Sequence, residues 1–207
     1  MMGIFDALFG GKKRTNVEIN PDHIWMTTDA KFAGLAKEAE ERSRSETVAI
    51  LLVAHFPDVF ARLEGLAEQR SWSVPCKVVF ASNLNADLAS GLKLDGSAII
   101  DIIVAERHPL PSVDDRLEQF ADELTCRCRF SYHLSLEDAI IKAFAGDWIS
   151  SVLKQVGMKE TEAIESPMVS RRIRGAQKKI EGRAFGSLDA ESAEEWLEKN
   201  CPELFRK

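Results

Sequence analysis

Polar side chains that can bind a ligand or transfer a proton follow directly after three apolar runs of the chain. The runs cover residues 48–54, 74–81 and 98–105, and their β-branched composition is typical of strands buried on both faces. The carboxyl ends of parallel strands meet at one edge of a sheet, where ligands usually bind. Two histidines with two carboxylates at that edge can hold a metal ion or carry out acid-base chemistry. The candidate residues are His55, Asp58, Ser82, Asn83, Glu106, Arg107 and His108.

The same residues also have a purely structural interpretation. The end of any parallel sheet is polar, because side chains there cap helices and tie loops together. We favour this interpretation, and we therefore predict neither a metal ion nor a cofactor. The alternative is a small-molecule or metal-dependent hydrolase that uses the strand-end residues.

The sequence does not predict a phosphate-binding loop. Residues 10–15 read G-G-K-K-R-T, which contains glycine, lysine and threonine but not the G-x-x-x-x-G-K-[ST] spacing. No strand precedes this segment to aim its backbone amides at a helix N-terminus. The chain also has no Asp-Glu-Ala-Asp-like pair for magnesium, so we do not expect it to act alone as an ATPase.

Helical patterns alternate with the apolar runs, which predicts an α/β fold with a mainly parallel sheet. Residues 127–134 alternate between polar and apolar side chains, and we expect them to form a strand at the edge of the sheet. The rest of the chain is predicted to be helical. A long helix should cover residues 168–182 with Val169, Ile173, Ala176 and Ile180 on its buried side, and Asp189 should cap a last short helix.

Residues 105–185 carry a series of short motifs in a defined order. They are A-E-R-H at 105–108, L-S-L-E-D at 134–138, G-M-K-E at 157–160, E-S-P-M-V-S at 165–170 and A-Q-K-K-I-E-G-R at 176–183. The series resembles the SecA preprotein translocase ATPase family, where the second RecA-like nucleotide-binding fold passes into the helical scaffold. That family has T-E-R-H, Y-L-S-L-E-D, G-M-x-E-x-E-x-I-E-x-P-M-V-S and A-Q-K-K-V-E-G-R-N-F in the same order. A weaker similarity reaches upstream to about residue 20, and the family's first nucleotide-binding fold has no counterpart in these 207 residues.

The resemblance fails at the two motifs that sense nucleotide in the family. The family's Q-L-R-G-R-x-G-R-Q-G-D-P-G, whose arginines reach the ATP phosphates, is replaced at unchanged spacing by R-L-E-Q-F-A-D-E-L-T-C-R-C at residues 116–128. Residues 81–84, A-S-N-L, are similar to the start of A-T-N-M-A-G-R-G-T-D-I, but N-A-D-L follows. The resemblance therefore implies a degenerate, shortened RecA-like domain of three layers followed by a helical extension.

On this basis we expect an N-terminal tail at residues 1–20, the degenerate RecA-like α/β domain at 21–134 and a helical extension, similar to the start of the SecA scaffold, at 135–207. The resemblance implies a non-catalytic accessory or regulatory protein that binds a protein partner. The translocation machinery and the motor itself are the partners that it suggests. A helper domain that completes an ATP site on a partner is a further alternative.

Two segments combine charge with a helical pattern and are candidate contact surfaces. The long helix bears six cations against only Glu181, and both partner docking and simple solvation explain such a pattern. Residues 2–14 place an apolar pattern ahead of K-K-R, which is typical of a helix that lies on anionic lipid, and a frayed tail is the alternative. The six cations are Arg171, Arg172, Arg174, Lys178, Lys179 and Arg183.

Composition limits the remaining classes of function. The net charge of −6 argues against nucleic-acid binding, which depends on neutralising phosphates. No apolar run reaches the roughly 18 residues that a membrane span needs. The 4 cysteines lack C-x-x-C spacing, so we expect free thiols. We predict a cytoplasmic protein, and peripheral contact with the inner membrane through residues 2–14 is the alternative to a frayed tail.

Overall fold

The computed structural model describes residues 16–91, 94–145, 159, 161–186 and 188–204. The prediction that residues 2–14 contact lipid lies outside these ranges. No helix within the described ranges has both the length and the apolar character needed to cross a bilayer.

Seven strands and seven α-helices occur in the described part of the chain. The strands are β1 (Val17–Ile19), β2 (His23–Trp25), β3 (Ala49–Ala54), β4 (Cys76–Phe80), β5 (Ile99–Val104), β6 (Arg127–Ser135) and β7 (Ile164–Glu165). The helices are α1 (Thr28–Ser43), α2 (Pro57–Glu68), α3 (Ala86–Gly91), α4 (Pro111–Glu123), α5 (Ala139–Ala145), α6 (Pro167–Glu181) and α7 (Ala193–Asn200). Short 3₁₀ turns follow β4 at Ala81–Asn83 and α7 at Pro202–Leu204.

The strands form one sheet in the order β4-β3-β5-β6-β2-β7, with β1 also paired to β6. All described pairs are parallel except β2 with β7. This confirms the predicted α/β fold with a mainly parallel sheet. The arrangement is compatible with a RecA-like domain of three layers. The proposed boundary between residues 134 and 135 stays a prediction.

The side chains of β3 alternate between the two faces of the sheet, and this alternation builds two apolar layers. Ile50 and Leu52 pack with Phe32 and Leu35 of α1, whereas Val53 belongs to the layer on the opposite face. That second layer is completed by side chains from the helices after β5, which lie on the other side of the sheet. They include Leu117, Phe120, Ile173, Ile180, Trp196 and Leu197.

The prediction that residues 127–134 form an edge strand is wrong. β6 lies inside the sheet, with β5 on one side and both β1 and β2 on the other. Its alternate polar residues suggested a face in contact with water. Instead Arg129 pairs with Asp101, with Nη2 to Oδ2 at 2.8 Å, and His133 pairs with Glu38, with Nε2 to Oε2 at 2.8 Å. The polar side chains are therefore matched by partners inside the fold.

The long helix is confirmed as α6, with Ile173 and Ile180 buried and Val169 and Ala176 half-buried. The cap predicted for the last helix is wrong. Ser192, not Asp189, caps α7, because its hydroxyl accepts a hydrogen bond from the N–H of Glu195 at 3.1 Å.

Gly34 and Gly65 offer a paired test of packing, since both lie inside helices. A Cβ atom at Gly34 would overlap the Trp25 ring, whereas a Cβ atom at Gly65 would meet nothing within 4 Å. We expect Gly34→Ala to lower the free energy of unfolding by about 1–3 kcal/mol through overpacking. The control Gly65→Ala should raise it by roughly 0.5–1 kcal/mol, because alanine is the better helix former. Urea unfolding followed by circular dichroism measures both, and equal effects at the two sites would contradict the packing of Trp25 on α1.

Candidate functional site

Arg107 follows β5 and is the centre of a buried ionic cluster. Its Nη2 and Nε atoms donate to Oδ1 of Asp22 at 2.7 and 3.1 Å, and its Nη1 donates to Oδ2 of Asp114 at 3.2 Å. The guanidinium carbon also lies 3.4 Å from the centre of the Tyr132 ring. The side chains of Asp22 and Asp114 are fully buried, so each ion depends on its partner inside the protein.

Asp114 collects groups from three segments of the chain. Besides Arg107 it accepts the backbone N–H of His108 at 3.2 Å and the side-chain amide of Gln177 at 2.7 Å. Nε2 of His55 lies 3.1 Å from its Oδ1 but is not aligned for a hydrogen bond, so we treat this contact as electrostatic only. Burial alone would raise the pKa of Asp114. The contacts with His55 and Arg107 outweigh it and hold that pKa well below its usual range.

Gln177 connects α6 to the end of the sheet. Its amide donates to Asp114 and also to the carbonyl of His108 at 2.7 Å, and the residue is fully buried. Asp22 binds α6 as well, because its N–H donates to the hydroxyl of Ser170 at 2.8 Å. The cluster therefore joins the segment before β2, the loop after β5, α4 and α6 in one place.

Glu106 occupies a second part of the strand-end edge. Its Oε1 accepts the backbone N–H groups of His55 at 2.9 Å and of Phe56 at 3.0 Å. Burial raises the pKa of Glu106 to about 7, although the nearby charges of His55 and Lys31 and these two hydrogen bonds act in the opposite direction. Lys31 is itself buried and pairs with Asp138, with Nζ to Oδ1 at 2.9 Å.

A crevice of about 650 Å³ lies at the carboxyl ends of β3 and β5, the two strands between which the strand order of the sheet changes direction. This is the position at which open α/β sheets bind ligands. Here α7 forms one wall, and the ring of its Trp196 meets that of His108 edge to face at 5.3 Å between centroids. Phe56 stacks on His108 from another side, also at 5.3 Å. Burial, followed by repulsion from His55, lowers the pKa of His108 to about 3, so its ring is neutral at physiological pH.

The seven residues predicted at the strand ends do not form one site. His55, Ser82 and His108 line the crevice. A separate cleft of about 380 Å³ is lined by a different three, namely Asp58, Glu106 and Arg107. Asn83 is exposed on the turn after β4 and lines neither space. Asp22, Asp114 and Gln177 complete the ionic cluster but were not predicted from the sequence. Gln177 had a visible signal, since it is a polar residue at helical spacing between Ile173 and Ile180.

A second polar group, also missed by the sequence analysis, is formed by His23, Glu38 and His133. The register of β2 and β6 places the two histidines side by side, with their rings 4.6 Å apart between centroids. Within the described residues this is the group whose ligand atoms lie close enough together to hold a metal ion. Glu165 approaches Nδ1 of His23 to 3.2 Å, as an outer-shell partner of a metal ligand would.

The orientation of the two rings nevertheless argues against a formed metal site. The rings of His23 and His133 are parallel within 4°, so one ion cannot lie in the plane of both. Trp25 donates its indole N–H to Nδ1 of His133 at 3.1 Å, which leaves the proton of a neutral His133 on Nε2. That proton is donated to Glu38, and a metal ion would have to displace it. The group is better described as a hydrogen-bonded column that ties α1 to β2 and β6.

The lowered pKa of His133 agrees with a neutral ring, whereas the low pKa of Glu38 includes the effect of a charged one. Burial lowers the pKa of His133. Burial alone would raise the pKa of Glu38, but the hydrogen bond from His133 and the charges of His133 and His23 outweigh it and hold the value at about 2. Because Trp25 already donates to His133, we attribute the low pKa of Glu38 to the hydrogen bond more than to a charged histidine.

The basic helix presents most of its charge to solvent. We define the cationic face of α6 as its exposed cations Arg171, Arg172, Lys178 and Lys179 together with Arg183 just beyond the helix. The sixth predicted cation, Arg174, differs because it is half-buried. It pairs with Asp115 and donates to the carbonyl of Pro111 at 3.2 Å, which holds α6 against α4.

No protein-family model matches this chain.

The raised pKa of Glu106 predicts a pH-dependent contribution to stability. The group titrates near 4.5 in the unfolded chain and near 7 in the folded one, so the folded state holds a proton that the unfolded state releases between these values. The contribution of Glu106 to stability therefore falls as pH rises from about 4.5 to 7. We expect Glu106→Gln, which keeps an acceptor for His55 and Phe56, to gain about 2–3 kcal/mol relative to wild type between pH 4.5 and pH 8.

Urea unfolding at several pH values measures this difference. The exposed Glu64 on α2 supplies the control, and Glu64→Gln should follow the wild-type pH dependence. A constant offset between Glu106→Gln and wild type at all pH values would show that Glu106 does not hold a proton in the folded state.

Proposed function

We propose that this chain is a non-catalytic, SecA-like accessory module that binds a protein partner, with the translocation machinery as the system that its sequence resemblance suggests. The observation that carries the proposal is that the chain's own carboxylates accept the backbone N–H groups at the strand ends. Glu106 accepts those of His55 and Phe56, and Asp114 accepts that of His108. In nucleotide-binding α/β folds, N–H groups in this region bind phosphate.

Two further carboxylates repeat this arrangement, one at the start of α1 and one at the end of β6. Glu137 accepts the N–H of Thr28 at the start of α1, at 2.7 Å. Asp138 accepts the N–H of Ser135 at 3.0 Å and pairs with Lys31. A phosphate would have to displace these carboxylates against their own hydrogen bonds and ion pairs. The arrangement therefore supports a domain that no longer needs a nucleotide to complete its strand-end edge.

The positions that replace the family's arginine motif at unchanged spacing support the same proposal. The three arginines of the motif correspond here to Glu118, Phe120 and Glu123. Phe120 is only 2% exposed and belongs to the apolar layer under α4, so this position now serves packing. Glu118 lies 3.9 Å from Arg107, and Glu123 is exposed. Without cations there, the transferred phosphoryl group would lack the charge stabilisation that phosphoryl transfer requires.

The hydrolase alternative has less support because its two histidines are packed inside the fold. Nδ1 of His108 accepts the N–H of Leu110 at 3.0 Å, and its ring is held between Phe56 and Trp196. The His55 side chain is 1% exposed beside Asp114. The cationic face of α6 is the better candidate for contact with another molecule, since its side chains are exposed.

A nucleotide assay tests the non-catalytic part of the proposal. We expect the purified chain to show no phosphate release and no heat of binding with about 1 mM magnesium-ATP. This concentration is on the order of the highest KM values of typical enzymes. Saturable binding, or turnover that co-purifies with the chain through successive columns, would contradict the proposal.

A capture experiment tests the binding part. The triple variant Arg172→Glu, Lys178→Glu and Lys179→Glu should lose whatever partner wild type recovers from its native host, because reversed charges repel an acidic partner. Its thermal midpoint should change by less than about 2 °C, since exposed charges contribute little to stability. Undiminished capture by the folded triple variant would place the binding surface elsewhere on the molecule.

A further inference from the structure

The exposed side of α6 combines charge with apolar surface. Among the large apolar side chains in the described residues, the three most exposed are Met168 at 60%, Phe185 at 74% and Leu188 at 62%. Met168 lies in the first turn of α6, and the other two follow its C-terminal end. Exposed apolar residues at both ends of a cationic strip are typical of a surface that another molecule covers.

The spacing of this surface fits a helix as the occupant. Counted from Met168, the cations Arg171, Arg172, Lys178 and Lys179 follow at three, four, ten and eleven residues, which is the spacing of one helical seam. Gly175 lies on the same seam at seven residues, where an added Cβ would meet nothing within 4 Å. With a rise of about 1.5 Å per residue, α6 offers a contact about 22 Å long, or four turns of a partner helix.

We infer that the cationic face of α6, with Met168, Phe185 and Leu188, is the docking seam for an acidic amphipathic helix of a partner protein. This inference rests on the proposed function and names the chemical class of its partner. Carboxylates on the partner would face the lysines and arginines and speed association. Apolar side chains on the partner would cover Met168, Phe185 and Leu188 and supply most of the affinity.

The packing of α6 argues for a protein partner over a lipid surface. A helix that lies in a membrane interface presents its apolar side to the acyl chains. The apolar side of α6 is already used, because Ile173 is 5% exposed and Ile180 is fully buried in the core. Gln177 holds that same side to α4 through Asp114. The helix therefore cannot turn its apolar stripe toward lipid without leaving the fold.

Selection from a display library of random 20-residue peptides, with the full chain as bait, tests the inference. We expect enriched peptides to carry Asp and Glu together with apolar residues at spacings of three, four and seven. The best peptide, synthesised and titrated by fluorescence anisotropy, should bind the charge-reversal triple variant at least roughly 30-fold more weakly. Phe185→Ser with Leu188→Ser should weaken binding about tenfold, because both apolar contacts are lost.

Matched variants elsewhere on the surface separate specific docking from general attraction. Lys77→Glu, Arg127→Glu and Lys142→Glu change the net charge equally at exposed sites on other elements. Leu88→Ser with Val48→Ser removes two exposed apolar side chains away from α6, although these are less exposed than Phe185 and Leu188. Both controls should alter peptide affinity less than threefold, on the order of the effect of long-range charge alone.

Three results would overturn the inference. They are enrichment of peptides without acidic residues, equal losses in the test and control variants, and binding to vesicles of phosphatidylglycerol that depends on the cationic face while no peptide binds there. In each of these three cases the proposed function would still stand, provided that the nucleotide assay is negative and that the triple variant loses capture of the partner. Hydrolysis of ATP would overturn the proposed function whatever the peptides show.

Discussion

The buried guanidinium of Arg107 is the constraint on which the rest of the structure depends. A charge at the end of β5, away from water, is stable only where carboxylates neutralise it, and Asp22 and Asp114 do so from two different segments. Their positions fix the chain that leads into β2 and the start of α4. Gln177 then holds α6 to Asp114. Removing any one partner would leave an uncompensated buried polar group, so these elements are linked energetically as well as in space.

The strand-end edge shows how side chains with ligand-binding chemistry also satisfy the backbone of the fold. Parallel strands and the helices that follow them bring N–H donors together at this edge, and some acceptor must satisfy them. In this chain Glu106, Asp114, Glu137 and Asp138 are those acceptors. Two of these side chains, Glu106 and Asp138, lie close to the buried cation Lys31. The positive charge of Lys31 offsets negative charge that would otherwise be buried without a counter-ion.

Strands made almost entirely of apolar residues could be predicted from the sequence, because their composition alone indicates burial. β3 and β5 are apolar on both faces, so their runs needed no partner to be recognised. β6 was wrongly predicted to be an edge strand, because Arg129 and His133 look like residues in contact with water. Inside the fold, Asp101 neutralises Arg129 and Glu38 accepts a hydrogen bond from His133. The parallel-sheet rule grouped His55 with His108 correctly. Asp22 could not be paired with Arg107, nor Gln177 with Asp114, because contacts between distant segments leave no periodic pattern.

The two sides of α6 have separate tasks, and this separation gives its outer surface a fixed orientation. Ile173, Gln177 and Ile180 hold the inner side against the core and the ionic cluster. Arg174 adds a lateral contact with α4 through Asp115. With its rotation about the helix axis fixed in this way, α6 presents its remaining cations as one seam. A partner therefore meets an ordered row of charges, and the ionic cluster that stabilises the fold also sets the geometry of the surface proposed for binding.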